Sequence, residues 1–569
     1  MTYKPINKTH KLFALNYVNE GYNINKDQLM GRQAAGWAFL KSIIQSKRYE
    51  HLGVYLKTQT EKDLLLKDIK NILAEDNRTL DIETVGFNRP DLTEKFGGIQ
   101  LPGPDISKYA EQRSFFGHNK YSICGITHTT ASDRILKGFS KLLTEPVMPW
   151  DAVICTSDSV YNTISKVVEV RKEYLERRFN SKLSPILPQL PIIPLGVNCD
   201  EFNFTDADKK TTRDSLSISE DDIVVVYVGR LSFHAKAHHL PMYIALENAA
   251  KKLSNSKKIH LIQTGWFASD FIEEAMKEEA RSICPSVNCL FLDGREQGLK
   301  LKTFASADIF MSLSDNIQET FGLTPLEAMA SGVPVIVSDW NGYRSTVRNN
   351  KDGYRITSYA LGEGHGEDLI YDYMIGSLTY DLYIGNSVSK VAIDIQECIN
   401  KLNHLIENKD KRKELGNNGQ KRARNDFSWV KILDKYEELY DELDNIRVKE
   451  SSQYKTIINK HYVSDRLDPF YLFDDYPTNI LNSKTPLYRN DSLVNIEFDE
   501  FLKLKSINYY RDLPKQEDLE EIMKTFNSKN PNNILEITNK VNIDQIDVER
   551  MVVFLMKYGF INTIEASNE

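Results

Sequence analysis

Short apolar runs alternate with stretches of helical period through the first 199 residues, and the alternation resumes at residue 223. A strand covered on both faces shows an unbroken apolar run, so this alternation predicts open parallel sheets with helices on both sides. The clearest runs are 151–157 (DAVICTS), 223–231 (IVVVYVGRL), 259–264 and 289–294 (CLFLDG). One place breaks the rhythm. Residues 30–44 (MGRQAAGWAFLKSII) predict a small-residue turn entering a helix, yet residues 19–29, where a strand should precede that turn, are polar. Beyond residue 450 the pattern changes again. Residues 451–491 are polar and interrupted by Pro469, Pro477 and Pro486, and 534–561 show two helical patterns around a break near Val541.

The most informative stretch is 307–347, ADIFMSLSDNIQETFGLTPLEAMASGVPVIVSDWNGYRSTV. It predicts a strand over 309–313, a polar loop, a short helix and a second buried strand over 333–337. Thr324 stands where an N-cap belongs, Pro325 takes the first helical position and Glu327 follows three residues after the cap, which together predict a capping box. Ahead of that cap the amides of Phe321, Gly322 and Leu323 can face a crevice, and a helix N-terminus reached through a glycine suits phosphate. Glu319 and Glu327 flank the turn.

This string resembles the donor site of the retaining glycosyltransferases of family 4, whose signature is a glutamate, seven residues and a second glutamate on a GT-B fold. That fold consists of two Rossmann-like doubly wound domains facing a cleft. The resemblance implies that Glu319 faces the hydroxyls of a donor sugar, that the amides of Gly322, Leu323 and Thr324 beside Phe321 meet a diphosphate, and that Glu327 holds ribose hydroxyls. It also gives roles to outlying residues. His128, at the end of the run SICGITHTTAS, matches a histidine that hydrogen bonds the donor sugar near its reacting carbon. Arg230 and Lys236 match the pair that clamps the diphosphate, although Lys236 lies one residue further on than the family spacing and Ala237 replaces a usual glycine. Gly31, with Gly36 and Arg32, matches a turn facing the cleft; Gly265 and Gly294, with Arg295, match backbone turns around the nucleotide.

By the same resemblance, residues 191–202 (PIIPLGVNCDEF) carry the chain between domains, with the hinge at 197–204, and 427–443 is a closing helix that crosses back. The domains expected are 1–200, completed by 427–446, for the acceptor; 201–426 for the nucleotide sugar; and 450–569 as an accessory, mostly helical module. Residues 357–387, rich in Gly, Tyr and Asp, depart from the family and read as a lid or acceptor-facing loop, with a plain surface excursion as the alternative. The end of the chain resembles half of a winged helix without a basic recognition face, which favours a packing or partner-binding module.

Composition narrows the setting. A chain of 569 residues should hold about three domains, and a formal net charge of -8 argues against broad binding to nucleic acid. The six cysteines lack metal-ligand spacing and read as reduced core residues of a cytoplasmic protein. His234, His238 and His239 cluster without a carboxylate or cysteine to complete a metal site, and the resemblance implies none is needed. No apolar run is long enough to cross a bilayer. Residues 166–182 mix Lys and Arg with Glu as on a solvated helix face, with a weak hold on the inner face of a membrane as the alternative. The expected activity is sugar transfer from a nucleotide sugar, UDP- or GDP-linked, to a glycan or lipid-linked acceptor with retention, in surface polysaccharide synthesis and with no cofactor. The rivals are an epimerase or sugar phosphorylase on the same fold, or a non-catalytic sugar-nucleotide-binding module.

Overall fold

The computed structural model describes residues 11–24, 31–74, 78–253, 257–454, 463, 466–490, 495–510, 513–526 and 530–563. Met30, at the start of the expected small-residue turn, lies outside them, as does part of 451–491. The chain divides into two compact units, Met1–Tyr462 and Val463–Glu569.

The first unit holds two six-stranded sheets, each wholly parallel, in the GT-B arrangement. Strands β1 (Ala14–Asn16), β2 (His51–Leu56), β3 (Asp81–Gly86), β4 (Gly98–Gln100), β5 (Ser122–Ile126) and β6 (Ala152–Ile154) form the first in the order β3-β2-β1-β4-β5-β6. Strands β7 (Ile223–Val228), β8 (Ile259–Gly265), β9 (Val287–Asp293), β10 (Ile309–Ser312), β11 (Val335–Ser338) and β12 (Gly353–Ile356) form the second in the order β12-β11-β10-β7-β8-β9. Every residue of β7 is buried, as its continuous apolar run requires of a central strand with helices on both faces.

Two sequence expectations are corrected here. The first strand is Ala14–Asn16, upstream of the polar stretch searched for it; three buried residues suffice because β2 and β4 pair with it on both sides. Part of that polar stretch forms the short helix Asn19–Tyr22, against which the helix Gly31–Gln45 packs so closely that a Cβ on Gly36 would stand 2.2 Å from the carbonyl oxygen of Gly21. Gly36 therefore serves helix contact. Residues 357–387 are also no loop. They rise through β13 (Ser358–Ala360), form the helices Glu367–Met374 and Tyr380–Val388, and return through β14 (Val391–Ile393), which pairs antiparallel with β13.

The helix Trp429–Glu450 lies on the first sheet: Tyr440 stacks on Phe13 with ring centroids 4.0 Å apart and donates to Gln100 Oε1 at 2.8 Å. Arg48 pairs with Asp434 at 2.7 Å, so the first lobe closes on a segment far downstream.

The second unit has its own core of Leu487, Phe501, Ile522, Ile537, Val552 and Leu555. Its helices include Gln516–Lys524 and Gln545–Lys557, and Tyr488–Arg489 pairs antiparallel with Ile561–Asn562.

Candidate active site

Three neighbouring strands of the second sheet, β7, β8 and β9, end at a glycine or run directly into one. The backbones of Gly229, Gly265 and Gly294 press together: a Cβ on Gly265 would lie 1.9 Å from the Gly229 oxygen, and one on Gly294 would lie 2.8 Å from the Gly265 Cα. Gly294 N–H donates to the Gly265 carbonyl at 2.9 Å. Smallness at 265 and 294 is thus already required by the strand ends themselves.

Arg230 follows the first of these turns. Its guanidinium donates to the Ala235 carbonyl at 2.9 Å and lies 5.9 Å from the ring centroid of Trp266, and burial draws its pKa below the ordinary arginine value. The loop 232–238 is tied to the loop after β10: Ser314 Oγ donates to the Lys236 carbonyl at 2.9 Å and Asn316 Nδ2 to the His234 carbonyl at 2.7 Å. That coupling brings the Lys236 ammonium against Glu319 as an ion pair. Burial alone would raise the Glu319 carboxyl; Lys236, together with the amides of Phe321 and Thr320, outweighs it and holds the group below the usual carboxylate value. Glu319 is therefore an anion in a mostly buried setting.

The helix after this loop is Leu323–Ala330, and it is not closed by the expected capping box. Gly322 is its N-cap with φ 97°, Thr324 and Pro325 are inside the first turn, and no side chain caps the end. The reason lies in Glu327, whose Oε1 takes the Lys300 ammonium at 2.6 Å instead of reaching back. Burial, only partly offset by Lys300, raises the Glu327 carboxyl, and Glu327 Oε2 and Thr324 Oγ1 are buried without a hydrogen-bond partner. Uncapped amides, an idle hydroxyl and an idle carboxylate oxygen meet at one helix start. A Cβ on Gly322 would stand 2.3 Å from Tyr343 Cε1. Tyr343, not singled out in the sequence, bonds Ser312 Oγ at 2.9 Å and donates to Glu319 Oε2 at 3.4 Å, supporting both the glycine and the acid.

The first lobe contributes His128 after β5. It is half-buried, one ring nitrogen donates to the Pro102 carbonyl, and burial lowers its pKa to about 4. Neutral and with its one N–H committed, the imidazole keeps an acceptor nitrogen. Its backbone carbonyl receives Thr320 Oγ1 at 3.1 Å, while Ser157 Oγ donates to the Thr320 carbonyl at 2.8 Å. The residue next to Glu319 thus bridges both lobes. Phe321 is buried, and beside it a cavity of about 510 Å³ lies on the hinge side, lined also by Thr156, Ser157, Arg422 and Lys435.

Of the other candidates, Arg32 lies within electrostatic reach of His128. Gly31 starts its helix with open space where a Cβ would be, Arg32 pairs with Glu20, and Arg295 pairs with Asp293 at 2.6 Å. Among the described residues no group of three His, Cys, Asp or Glu side chains is placed to hold a metal, and no helix is long and apolar enough to cross a membrane. Trp266, Lys300 and Tyr343 were missed because a single aromatic or lysine within a strand or helix pattern carries no signal of its own.

The family model described as "Glycosyl transferases group 1" matches residues 208–363, within the second lobe. A curated relative, D-inositol 3-phosphate glycosyltransferase of Geodermatophilus obscurus, is 29% identical over 168 residues, covering 28% of this chain and 35% of that protein. Alpha-monoglucosyldiacylglycerol synthase of Streptococcus pneumoniae is 25% identical over 240 residues, covering 40% of this chain and 42% of that protein. The chain thus spans less than half the length of either relative. The crystal structure of Anabaena HepE in complex with UDP and glucose aligns with a TM-score of 0.47 at 16% identity, over 73% of this chain and 98% of that one.

Proposed function

We propose that this chain is a glycosyltransferase that moves a sugar from a nucleotide-sugar donor to a hydroxyl acceptor with retention of anomeric configuration. The observation that carries the reading is the convergence of Arg230, the Lys236–Glu319 pair and the uncapped start of the helix Leu323–Ala330 at the ends of neighbouring strands. The donor lies across the second lobe. Its diphosphate meets Arg230, Lys236 and the amides of Gly322, Leu323 and Thr324, which stabilise the charge that grows on the leaving oxygen. Glu327 Oε2, free of other partners, accepts the ribose hydroxyls.

Glu319 stays ionised beside the sugar, accepting its hydroxyls and favouring the positive charge of an oxocarbenium-like state. His128 accepts a sugar hydroxyl from the opposite lobe. The acceptor attacks from the face the nucleotide leaves, and the departing phosphate oxygen takes its proton. UDP or GDP is the expected carrier, and a glycan or lipid-linked acceptor in surface polysaccharide synthesis fits this reading, with work at the inner face of a membrane. The test is nucleotide release from UDP-, GDP- and ADP-linked sugars, followed by NMR of the product. Release with a retained anomer is expected; an inverted product overturns the stereochemistry, and no release from any donor overturns the function.

A further inference from the structure

The excursion between β13 and β14 spans the two lobes at the site. From its second helix, Tyr380 shares a hydrogen bond with the side chain of Thr129, next to His128. Five residues on, Gly385 rests on the other lobe: a Cβ there would lie 3.0 Å from the Cβ of His234. Between these two anchors, Asp381 lies within electrostatic reach of both Arg230 and His234. The outer helix is locked to the inner one by Tyr373 stacked on Tyr383, centroids 4.7 Å apart and planes 11° from parallel, and Tyr373 also lies within electrostatic reach of Lys137 in the first lobe.

The Asp381 carboxylate is exposed and has no hydrogen-bond or ion-pair partner among the described residues. A carboxylate so placed accepts hydrogen bonds from hydroxyls and repels a second anion, the more so because the leaving diphosphate already draws on the positive charge of Arg230. We infer that the inner helix of the excursion, Tyr380–Val388, forms the acceptor-side wall of the site, and that Asp381 determines specificity by admitting neutral, hydroxyl-bearing acceptors and rejecting anionic ones. The inference rests on the sugar-transfer reading above. It adds the class of acceptor.

The experiment measures nucleotide release from the best donor in wild type, D381N and D381R, with methyl β-D-glucopyranoside as the neutral probe and glucose 6-phosphate as the anionic one. Wild type is expected to ignore glucose 6-phosphate, whereas D381R responds to it at a concentration at least tenfold lower, without competition against the donor. D381N falls between them. The melting temperature of each variant is the check on folding, and M374A, on the outer helix, is the control, its responses equal to wild type. A D381R enzyme that responds as wild type does overturns the inference, and so does an effect competitive with the donor or one shared by M374A. If wild type releases nucleotide from no donor, the transfer reading fails and this inference with it; normal release with an indifferent D381R removes the inference alone.

Discussion

The ammonium of Lys236 and the carboxylate of Glu319 join two loops that come from different strands, one after β7 and one after β10. The ammonium holds the Glu319 carboxyl below its usual value in a site where burial alone would raise it. Removing either partner strands a charge, so the two substitutions should not add. E319Q and K236A are each expected to lower kcat about 100-fold or more, and the double variant should be little worse than the poorer single one. Steady-state nucleotide release checks this, and additive losses would show that the pair does not act as a unit.

Gly322 leaves no choice of residue. Its φ of 97° disfavours any side chain, and the Tyr343 ring fills the space a Cβ would take. G322A should lose roughly 2–5 kcal/mol of stability from strain and overpacking together. Denaturant unfolding gives the value. In a Y343A background the further cost of G322A should be smaller, since the ring is then gone and only the backbone strain remains.

Asp315 sets a pH dependence. It receives the His238 amide at 3.3 Å, and burial raises its pKa to about 7. A carboxyl raised in the folded state binds its proton more tightly there than in the unfolded chain, so its contribution is fully present below about pH 4 and lost as pH rises through about 7. D315N should flatten that part of the stability profile. Melting temperatures of both proteins across pH 4–8 test it, and parallel profiles would remove Asp315 as the source.

Trp266 supports Arg230 through its ring face. Such a contact is worth about 1 kcal/mol when partly desolvated, so W266A should raise the donor KM roughly fivefold with a smaller change in kcat, and W266F should restore most of the affinity. Equal donor KM in all three proteins would sink the idea.

The second lobe was the more legible half of the sequence. Its strands are covered on both faces, so runs such as 223–228 stand out, and a string like FGLTPLE packs glycine, proline and glutamate into one turn. The first strand was illegible because only Ala14, Leu15 and Asn16 form it, and its burial comes from neighbours distant in sequence. The capping box failed for a similar reason. Local spacing favoured it, but Lys300, 27 residues upstream, claims the Glu327 oxygen that would have closed it. Gly265 was legible as a glycine at a strand end, matched to a backbone turn around the nucleotide, whereas the Gly229 carbonyl that leaves no room for a side chain there could come only from coordinates. The excursion after residue 357 was visible as an interruption. Its helices were not, since their exposed Tyr371, Met374 and Leu382 blur the apolar face on which periodicity depends.

Thr320, in the second half of the first unit, is bonded twice to the first half: its hydroxyl reaches the backbone of His128, and its carbonyl takes the hydroxyl of Ser157. Glu319 is its immediate neighbour, so the acid is anchored to the gap rather than to one wall. Spreading the halves would tug that anchor and spoil the alignment before any donor bond is strained. Under the proposed reaction, turnover is thereby indexed to how far apart the halves stand.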